Sequence, residues 1–190
     1  MKQLNLVETL AAGKEKSKLK AKFQPRLTHG GRESKGKRKS TRPFAPKTSI
    51  HLVLKSKRAS GAWSMKHRKN QSRITSMVYV YATRFRVHVY SFANVGDHLH
   101  LLVKASDRKD LADYLRVLAG RIAVTVSGAK KYVKKIGKFW DHLCWSRLVK
   151  WGKEFHLVQR YVFANELEAI DQKFRQMVLK NPYLIPNNSS

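Results

Sequence analysis

Hydrophobic and polar residues alternate in two neighbouring stretches near the middle of the chain, residues 86–93 and 98–103. The alternation predicts two β-strands, because successive side chains of a strand point to opposite faces. His98 and His100 are therefore expected on one face of the second strand, and Leu99, Leu101 and Val103 on the other, toward a core. The turn-forming residues 94–97 between the two stretches predict that they form a hairpin.

The remaining periodicities predict two more strands and three helices. Ser106 and Asp107 are an N-cap signal for the second helix, whose buried stripe is expected to be Leu111, Leu115, Leu118, Ile122 and Val126. The other predicted elements are a first strand at 49–54, a helix at 65–84, a second helix ending near Val126, a fourth strand or hairpin segment within 139–151, and a third helix from Glu154 to about Ile170.

The order of these elements is β-α-β-β-α-β followed by a final helix. This order predicts an α+β fold, the ferredoxin-like split βαβ sandwich, in which helices cover one face of an antiparallel sheet. The last helix, which carries Tyr161, is an addition at the C-terminus. We expect the other sheet face to be open and to carry the histidine pair.

The net charge of the chain indicates which kind of partner this domain binds. The 190 residues include 40 Lys and Arg against 12 Asp and Glu, a formal net charge of +28, while 42% are hydrophobic and suffice for a core. Nucleic acid is the partner that this balance favours. A membrane is not expected, since the chain has no apolar run of 18 residues. The start of the chain also lacks the apolar segment of a secretory signal.

The single cysteine, Cys144, excludes a disulfide framework and a cysteine-based zinc site, and it fits a reducing cytosol. Composition divides the chain into three parts. Residues 1–47 are predicted to be a basic, disordered arm that binds phosphates without sequence preference. Residues 48–170 are predicted to form the folded domain, and residues 171–190 a C-terminal extension.

The most specific chemistry lies in four side chains. His98 and His100 share a strand face, and Tyr161 and Asn165 share a helix face because they are four residues apart. Imidazole nitrogens with an amide oxygen suit Mn²⁺, or Mg²⁺ with retained waters. Such an ion polarises a phosphate oxygen, and a tyrosine beside it can attack the phosphorus to give a covalent intermediate.

Four motifs in this chain resemble those of the HUH endonuclease superfamily. They are GDHLHLLV at 96–103, LRVLAGR at 115–121, FWD at 139–141 and YVFAN at 161–165. Within the superfamily the chain is similar to the single-tyrosine transposases of insertion sequences and to the REP-associated tyrosine transposases. The resemblance covers roughly residues 48–170.

This resemblance implies a transposase that cleaves and joins single-stranded DNA with a divalent metal ion, Mg²⁺ or Mn²⁺, and recognises DNA hairpins. Carried over by motif, Tyr161 is the nucleophile that forms a 5′-phosphotyrosine, and His98, His100 and Asn165 bind the ion. A bacterial cytoplasmic protein associated with the nucleoid is expected. Related proteins act as homodimers or as monomers, and the chain leaves both open.

One departure leaves the subgroup open. Glu166, Leu167 and Glu168 follow the tyrosine motif, where REP-associated members commonly continue with proline.

Further DNA contacts are predicted in a basic loop and beside it. A loop between elements can follow a phosphate backbone and sets affinity and salt dependence, not sequence choice. Trp140 can stack on an unpaired base or belong to the core, and the sequence favours neither. The predicted DNA-binding residues are Lys130, Lys131, Lys134, Lys135, Lys138, Arg121 and Trp140.

Other interpretations of these residues stay open at this stage. The chain can be a non-catalytic DNA- or RNA-binding protein that retains the fold. Tyr114 and Tyr132 are rival nucleophiles, although neither has a matching amide. Asp97 is favoured as a turn residue over one that orients a histidine. The histidines without comparable spacing are expected to be structural: His51, His88, His142 and His156.

Overall fold

A five-stranded sheet forms the centre of the structure, a computed structural model that describes residues 27–37, 40–129 and 137–167. The strand order is β1-β5-β2-β4-β3, and each of the four pairings is antiparallel. The strands are β1 (Thr28–His29), β2 (Ser49–Lys55), β3 (Val87–Asn94), β4 (His98–Ala105) and β5 (Trp145–Val149).

Three α-helices are described: α1 (Arg68–Arg84), α2 (Arg108–Ser127) and α3 (Lys153–Leu167). The order β2-α1-β3-β4-α2-β5, with β2 and β4 as the inner strands of these four, confirms the ferredoxin-like arrangement. Within the described residues, no helix combines the length and the apolar character needed to cross a membrane.

The main core lies between the sheet and the pair α1 and α2. Leu99, Leu101 and Val103 of β4 are completely buried there, as their alternation with the histidines predicted. Burial of each such side chain stabilises the fold by about 1.5–3 kcal/mol. The predicted stripe of α2 is buried as well, and Asp107 caps this helix by accepting from the Lys109 backbone N–H.

Helix α3 packs on the opposite sheet face. Its Phe155, Val158 and Val162 form a second, smaller core with the side chains of Ala93, Leu102 and Val149. The face that we expected to be open is therefore partly covered. His98 and His100 stand on this face beside α3, not beneath a layer of core residues.

Two element boundaries differ from the sequence-based prediction. Helix α1 begins at Arg68 and not at Met65, because the Met65 N–H donates to the Gly96 carbonyl at 2.8 Å. The fourth strand is confined to Trp145–Val149. The stretch before it binds the end of β2 instead of extending a ladder, since the Asp141 N–H donates to the Lys55 carbonyl at 3.0 Å.

The described residues of the segment that we expected to be a disordered arm, 27–37 and 40–47, pack against the domain. Strand β1 adds to the free edge of β5, and the Leu148 N–H donates to the Leu27 carbonyl at 3.0 Å. The Arg42 guanidinium donates to the Cys144 carbonyl at 2.9 Å, and Phe44 packs against the main core. Composition concealed this because the docking uses mainly backbone groups, which every sequence carries.

A glycine turn directs the chain away from β1. Gly30 has φ +80°, and a Cβ atom there would lie 2.2 Å from the Cys144 carbonyl oxygen. A side chain is excluded twice at this position, by the left-handed backbone and by the close approach of another strand.

We predict that Gly30→Ala detaches β1, whereas Gly36→Ala does not. Gly36 also has a positive φ, +73°, but a Cβ there meets nothing within 4 Å, so its cost is backbone strain of about 1 kcal/mol. Hydrogen exchange of the Leu148 amide measures the difference. We expect it to be about tenfold faster or more in Gly30→Ala, which corresponds to about 1.4 kcal/mol of lost local stability. Equal protection in both variants would contradict the docking of β1.

Candidate active site

A cleft of about 1160 Å³ opens on the sheet face that carries α3. It brings together three of the four side chains that the sequence singled out, namely His98, His100 and Tyr161. Three further aromatic rings, those of His51, His142 and Trp145, also line it. The basic side chains of the lining are Arg32, Lys35, Lys55, Lys57 and Arg147.

His98 is oriented by its neighbour in sequence. Its Nδ1 lies 2.5 Å from Asp97 Oδ1, and Asp97 also pairs with Lys55 at 3.5 Å. Burial raises the pKa of Asp97, but the hydrogen bond and charge of His98 and the ammonium of Lys55 outweigh it and hold the pKa below its ordinary value. Asp97 therefore orients a histidine, and the favoured interpretation as a simple turn residue is corrected. With Nδ1 engaged, Nε2 is the nitrogen of His98 left for a ligand.

His100 is oriented from the neighbouring strand. His51 Nε2 lies 3.1 Å from His100 Nδ1, and the two rings are stacked with centroids 5.4 Å apart. Both side chains are nearly inaccessible, with 5% and 4% of their surface exposed. The ring of His98 stands edge-on to His100, 4.8 Å between centroids. Three imidazoles are thus packed in contact on strands β2 and β4.

Burial keeps the inner two imidazoles neutral. It lowers the pKa of His51 to about 4, helped by the charge of Arg147, and the pKa of His100 to about 3, helped by the other two histidines. A neutral imidazole has one N–H and one lone pair. In the tautomer that keeps the lone pair on His100 Nε2, His100 Nδ1 donates its proton to His51 Nε2.

The Nε2 atom of His100 is buried and has no hydrogen-bond partner among the described residues. A buried polar atom without a partner costs about 1–3 kcal/mol, which a bound cation at this atom would offset. A metal ion fits this atom, because both histidines are held through Nδ1 and present Nε2. No group of three or more His, Cys, Asp or Glu side chains within residues 27–37, 40–129 and 137–167 is arranged to hold a metal by itself.

Tyr161 reaches the cleft from α3. Its ring stands edge-on to His100 with centroids 5.4 Å apart, and edge-on to His51 at 6.0 Å. The side chain is 42% exposed although it touches two buried rings. A phenol in this position is accessible to a macromolecular substrate and is held beside the imidazoles at the same time.

Asn165 lies one helical turn beyond Tyr161 and is buried, but it is not among the residues that line the cleft. Its Nδ2 donates to the Tyr161 backbone carbonyl at 2.7 Å, so its amide oxygen is the atom that can bind a cation. Its role as a ligand stays a prediction.

The rival nucleophile Tyr114 is completely buried in the main core, where its hydroxyl donates to the Val78 carbonyl at 3.3 Å. The other rival, Tyr132, lies outside the described residues.

The described members of the predicted DNA-binding set, Arg121, Lys138 and Trp140, are not among the residues that line the cleft. Lys138 and Trp140 line a second pocket of about 640 Å³ beside α2, and the Trp140 indole N–H donates to the Ala119 carbonyl at 3.0 Å. Arg121 is exposed on α2, which packs on the sheet face opposite the histidines. Lys130, Lys131, Lys134 and Lys135 lie outside the described residues. Their contacts with DNA stay predictions.

Two histidines of the cleft, His51 and His142, escaped the sequence analysis. His51 was expected to be structural, because it lies 47 positions before His98 and has no motif of its own. Its alternation with Ile50 and Leu52 in a buried strand was the one available signal, since it places His51 on the face opposite those aliphatics. Trp145 stands edge-on to His51, 5.5 Å between ring centroids.

Comparison with known proteins gives a family and a fold. The family model of the IS200-like transposases matches residues 45–165. The structure is similar to that of a REP-associated tyrosine transposase bound to a REP hairpin, with a TM-score of 0.53 and 10% identity over 70% of this chain and 74% of that one. A candidate transposase from Deinococcus radiodurans R1 gives a TM-score of 0.41 and 16% identity over 68% of this chain and 98% of that one. No curated protein sequence matches the chain.

We predict that His51→Ala lowers the free energy of unfolding by about 1–3 kcal/mol in metal-free protein, since it leaves His100 Nδ1 buried without a partner. Urea unfolding with a chelator present measures the change. His88→Ala is the matched control, because His88 is an exposed histidine on β3 and its loss should stay within about 0.5 kcal/mol. Equal effects of the two substitutions would show that the histidine pair does not support the fold.

Proposed function

This chain belongs to the IS200-like transposases, and on that premise we propose that it cleaves and rejoins single-stranded DNA through a covalent bond to Tyr161. Members of a transposase family act on DNA, and the proposal adds the strand, the nucleophile and the ion. One observation carries it: an accessible phenol stands in ring contact with a buried histidine whose Nε2 has no partner among the described residues.

The chemistry of the proposed step is a transesterification. The Tyr161 phenol loses its proton, and its oxygen attacks the phosphorus of a phosphodiester in the cleft. The bond between phosphorus and the 3′ oxygen breaks, and the leaving oxygen takes up a proton to become a 3′ hydroxyl. The phosphate stays joined to Tyr161 as a 5′-phosphotyrosine. Attack by a 3′ hydroxyl on this ester reverses the step and joins two strands without an external energy source.

His98 and His100 would hold a divalent cation through Nε2, with the Asn165 amide oxygen as the proposed third protein ligand. Mg²⁺ or Mn²⁺ at this place would polarise a phosphate oxygen and stabilise the charge that develops on it. Asp97 and His51 fix the directions of the two imidazoles, since each occupies an Nδ1 atom. The Tyr161 ring is positioned against His51 and His100 without being buried.

A hairpin is the DNA feature that we propose as the recognised element. The support is the similarity in fold to a transposase whose structure contains a REP hairpin. The strongly basic chain would attach to DNA through phosphates and remain associated with the nucleoid. Lys138 and Arg121 are the described members of the predicted DNA-binding set that are exposed.

Tyr161→Phe is expected to abolish the covalent adduct and to leave DNA binding within about twofold. The substitution removes the attacking oxygen and keeps the ring that contacts His51 and His100. Labelled single-stranded hairpin DNA, incubated with Mn²⁺ and run on a denaturing gel, detects the adduct. Tyr79→Phe, at an exposed tyrosine of α1, should form the adduct like the unaltered protein. An adduct in Tyr161→Phe would refute the nucleophile, and tight binding with no adduct in the unaltered protein would indicate a non-catalytic binder.

His98→Ala is expected to weaken Mn²⁺ binding about 100-fold or more, because one of two imidazole ligands is lost. Calorimetric titration with Mn²⁺ alone measures this without DNA or activity. The control is His156→Ala, which removes an exposed histidine of α3 and should leave Mn²⁺ affinity unchanged. Retained Mn²⁺ affinity in His98→Ala would show that the ion, if bound, is held elsewhere.

A further inference from the structure

The segment before the family domain reaches the cleft. The family model begins at residue 45, so residues 27–37 and 40–44 lie outside it. This segment nevertheless contributes Gly31, Arg32 and Lys35 to the lining that includes the histidines and Tyr161. The part of the arm nearest to the domain is therefore a wall of the candidate active site.

Short-range contacts fix this segment on the strand that carries Trp145. The Gly31 N–H donates to the Leu143 carbonyl at 2.9 Å. A Cβ at Gly31 would lie 2.9 Å from the Trp145 ring, which shows how closely the backbone passes over that side chain. Trp145 in turn contacts His51. A continuous set of contacts thus joins the segment to the histidine cluster.

The local backbone geometry places the side chains of Arg32 and Lys35 on the side that faces the cleft. Arg32 begins a short 3₁₀ helix, Arg32–Ser34, and Lys35 is its C-cap residue. Residues three apart in a 3₁₀ turn project in the same direction. Arg32 and Lys35 are both exposed, and both belong to the lining of the cleft.

Their charges differ from those of two other cations in the cleft, which are paired with carboxylates. Lys55 pairs with Asp97 at 3.5 Å, and Arg147 pairs with Glu154 at 2.5 Å. Among the side chains that the structure describes, no carboxylate lies within ion-pair distance of Arg32 or Lys35. Exposed cations of this kind exchange their counterions for phosphate groups when a nucleic acid binds.

We propose that Arg32 and Lys35 bind the phosphodiester backbone of the single strand that enters the Tyr161 cleft. The segment is then a substrate-positioning wall that this chain adds to its family domain. The proposal rests on the proposed function for the identity of the substrate. Arg32 can grip one phosphate with two parallel N–H groups, whereas Lys35 supplies a point charge. Both contacts recognise the backbone, so they set affinity and path and not sequence.

The test measures binding of a fluorescein-labelled oligothymidylate, in the full chain carrying Tyr161→Phe so that no cleavage takes place. Arg32→Gln with Lys35→Gln is compared with Lys69→Gln with Arg73→Gln, which removes two exposed cations from α1. Loss of two phosphate contacts should reduce the salt slope by about 1.4 and weaken binding roughly tenfold at 0.15 M salt. The α1 pair should change affinity by less than about twofold.

A second pair of variants tests position instead of charge. Gly30→Ala should weaken binding like the loss of both cations, because it displaces the segment, while Gly36→Ala should leave binding unchanged. Circular dichroism confirms that all variants fold. Equal weakening by the cleft pair and the α1 pair would overturn the proposal, and so would unaltered binding in Gly30→Ala or failure of the starting protein to bind the oligonucleotide.

The same variants separate this proposal from the proposed function. With Tyr161 restored, the Arg32 and Lys35 double variant should need about tenfold more DNA for half-maximal adduct and reach the same yield at saturation. Absence of adduct in the unaltered protein, together with the expected binding losses, would reject catalysis by Tyr161 and retain the phosphate-binding wall. Full adduct formation with unaltered DNA requirement in the double variant would do the reverse.

Discussion

Strand β4 has to satisfy two environments at once, and the organisation of the domain follows from that constraint. Its odd-numbered positions from Leu99 to Val103 are enclosed by α1 and α2, while His98 and His100 are presented to the other face. A shift of the strand register by one residue would bury the imidazoles in the main core and expose the aliphatic side chains. The register that stabilises the fold is thus the same register that builds the site.

The imidazoles of the cleft need hydrogen-bond partners, and two other residues of the same chain supply them. His98 is held by the adjacent Asp97, which is itself paired with Lys55. His100 is held by His51 across the sheet, and burial keeps both of these rings neutral. Neutral imidazoles with one nitrogen engaged and the other available are the form that binds a metal ion. Helix α3 then brings Tyr161 to the edge of the group without covering it.

The net charge of the protein attracts DNA over long distances and does not depend on how the histidine cluster is arranged. A net charge of +28 draws polyanions to the surface as a whole. The docking of β1 places two of these charges, on Arg32 and Lys35, at the wall of the cleft. Long-range attraction and local positioning are therefore distinct properties, and only the second depends on the glycine turn at Gly30.

The sequence by itself determined the alternating strand, the helical stripe of α2 and the ferredoxin-like order. These follow from periodicities within a few residues, which spacing records directly. The pairing of the His-x-His strand with the tyrosine helix was expected from the resemblance of their motifs to a known family. Only the tertiary structure decided that His51 supports His100, that Asp97 orients His98, and that residues 27–37 line the cleft. The first and third depend on contacts between segments distant in sequence, partly through backbone hydrogen bonds that any residue can make, and these leave no local pattern. The second depends on side-chain directions at a turn, because an aspartate next to a histidine is compatible with either a turn role or an orienting role.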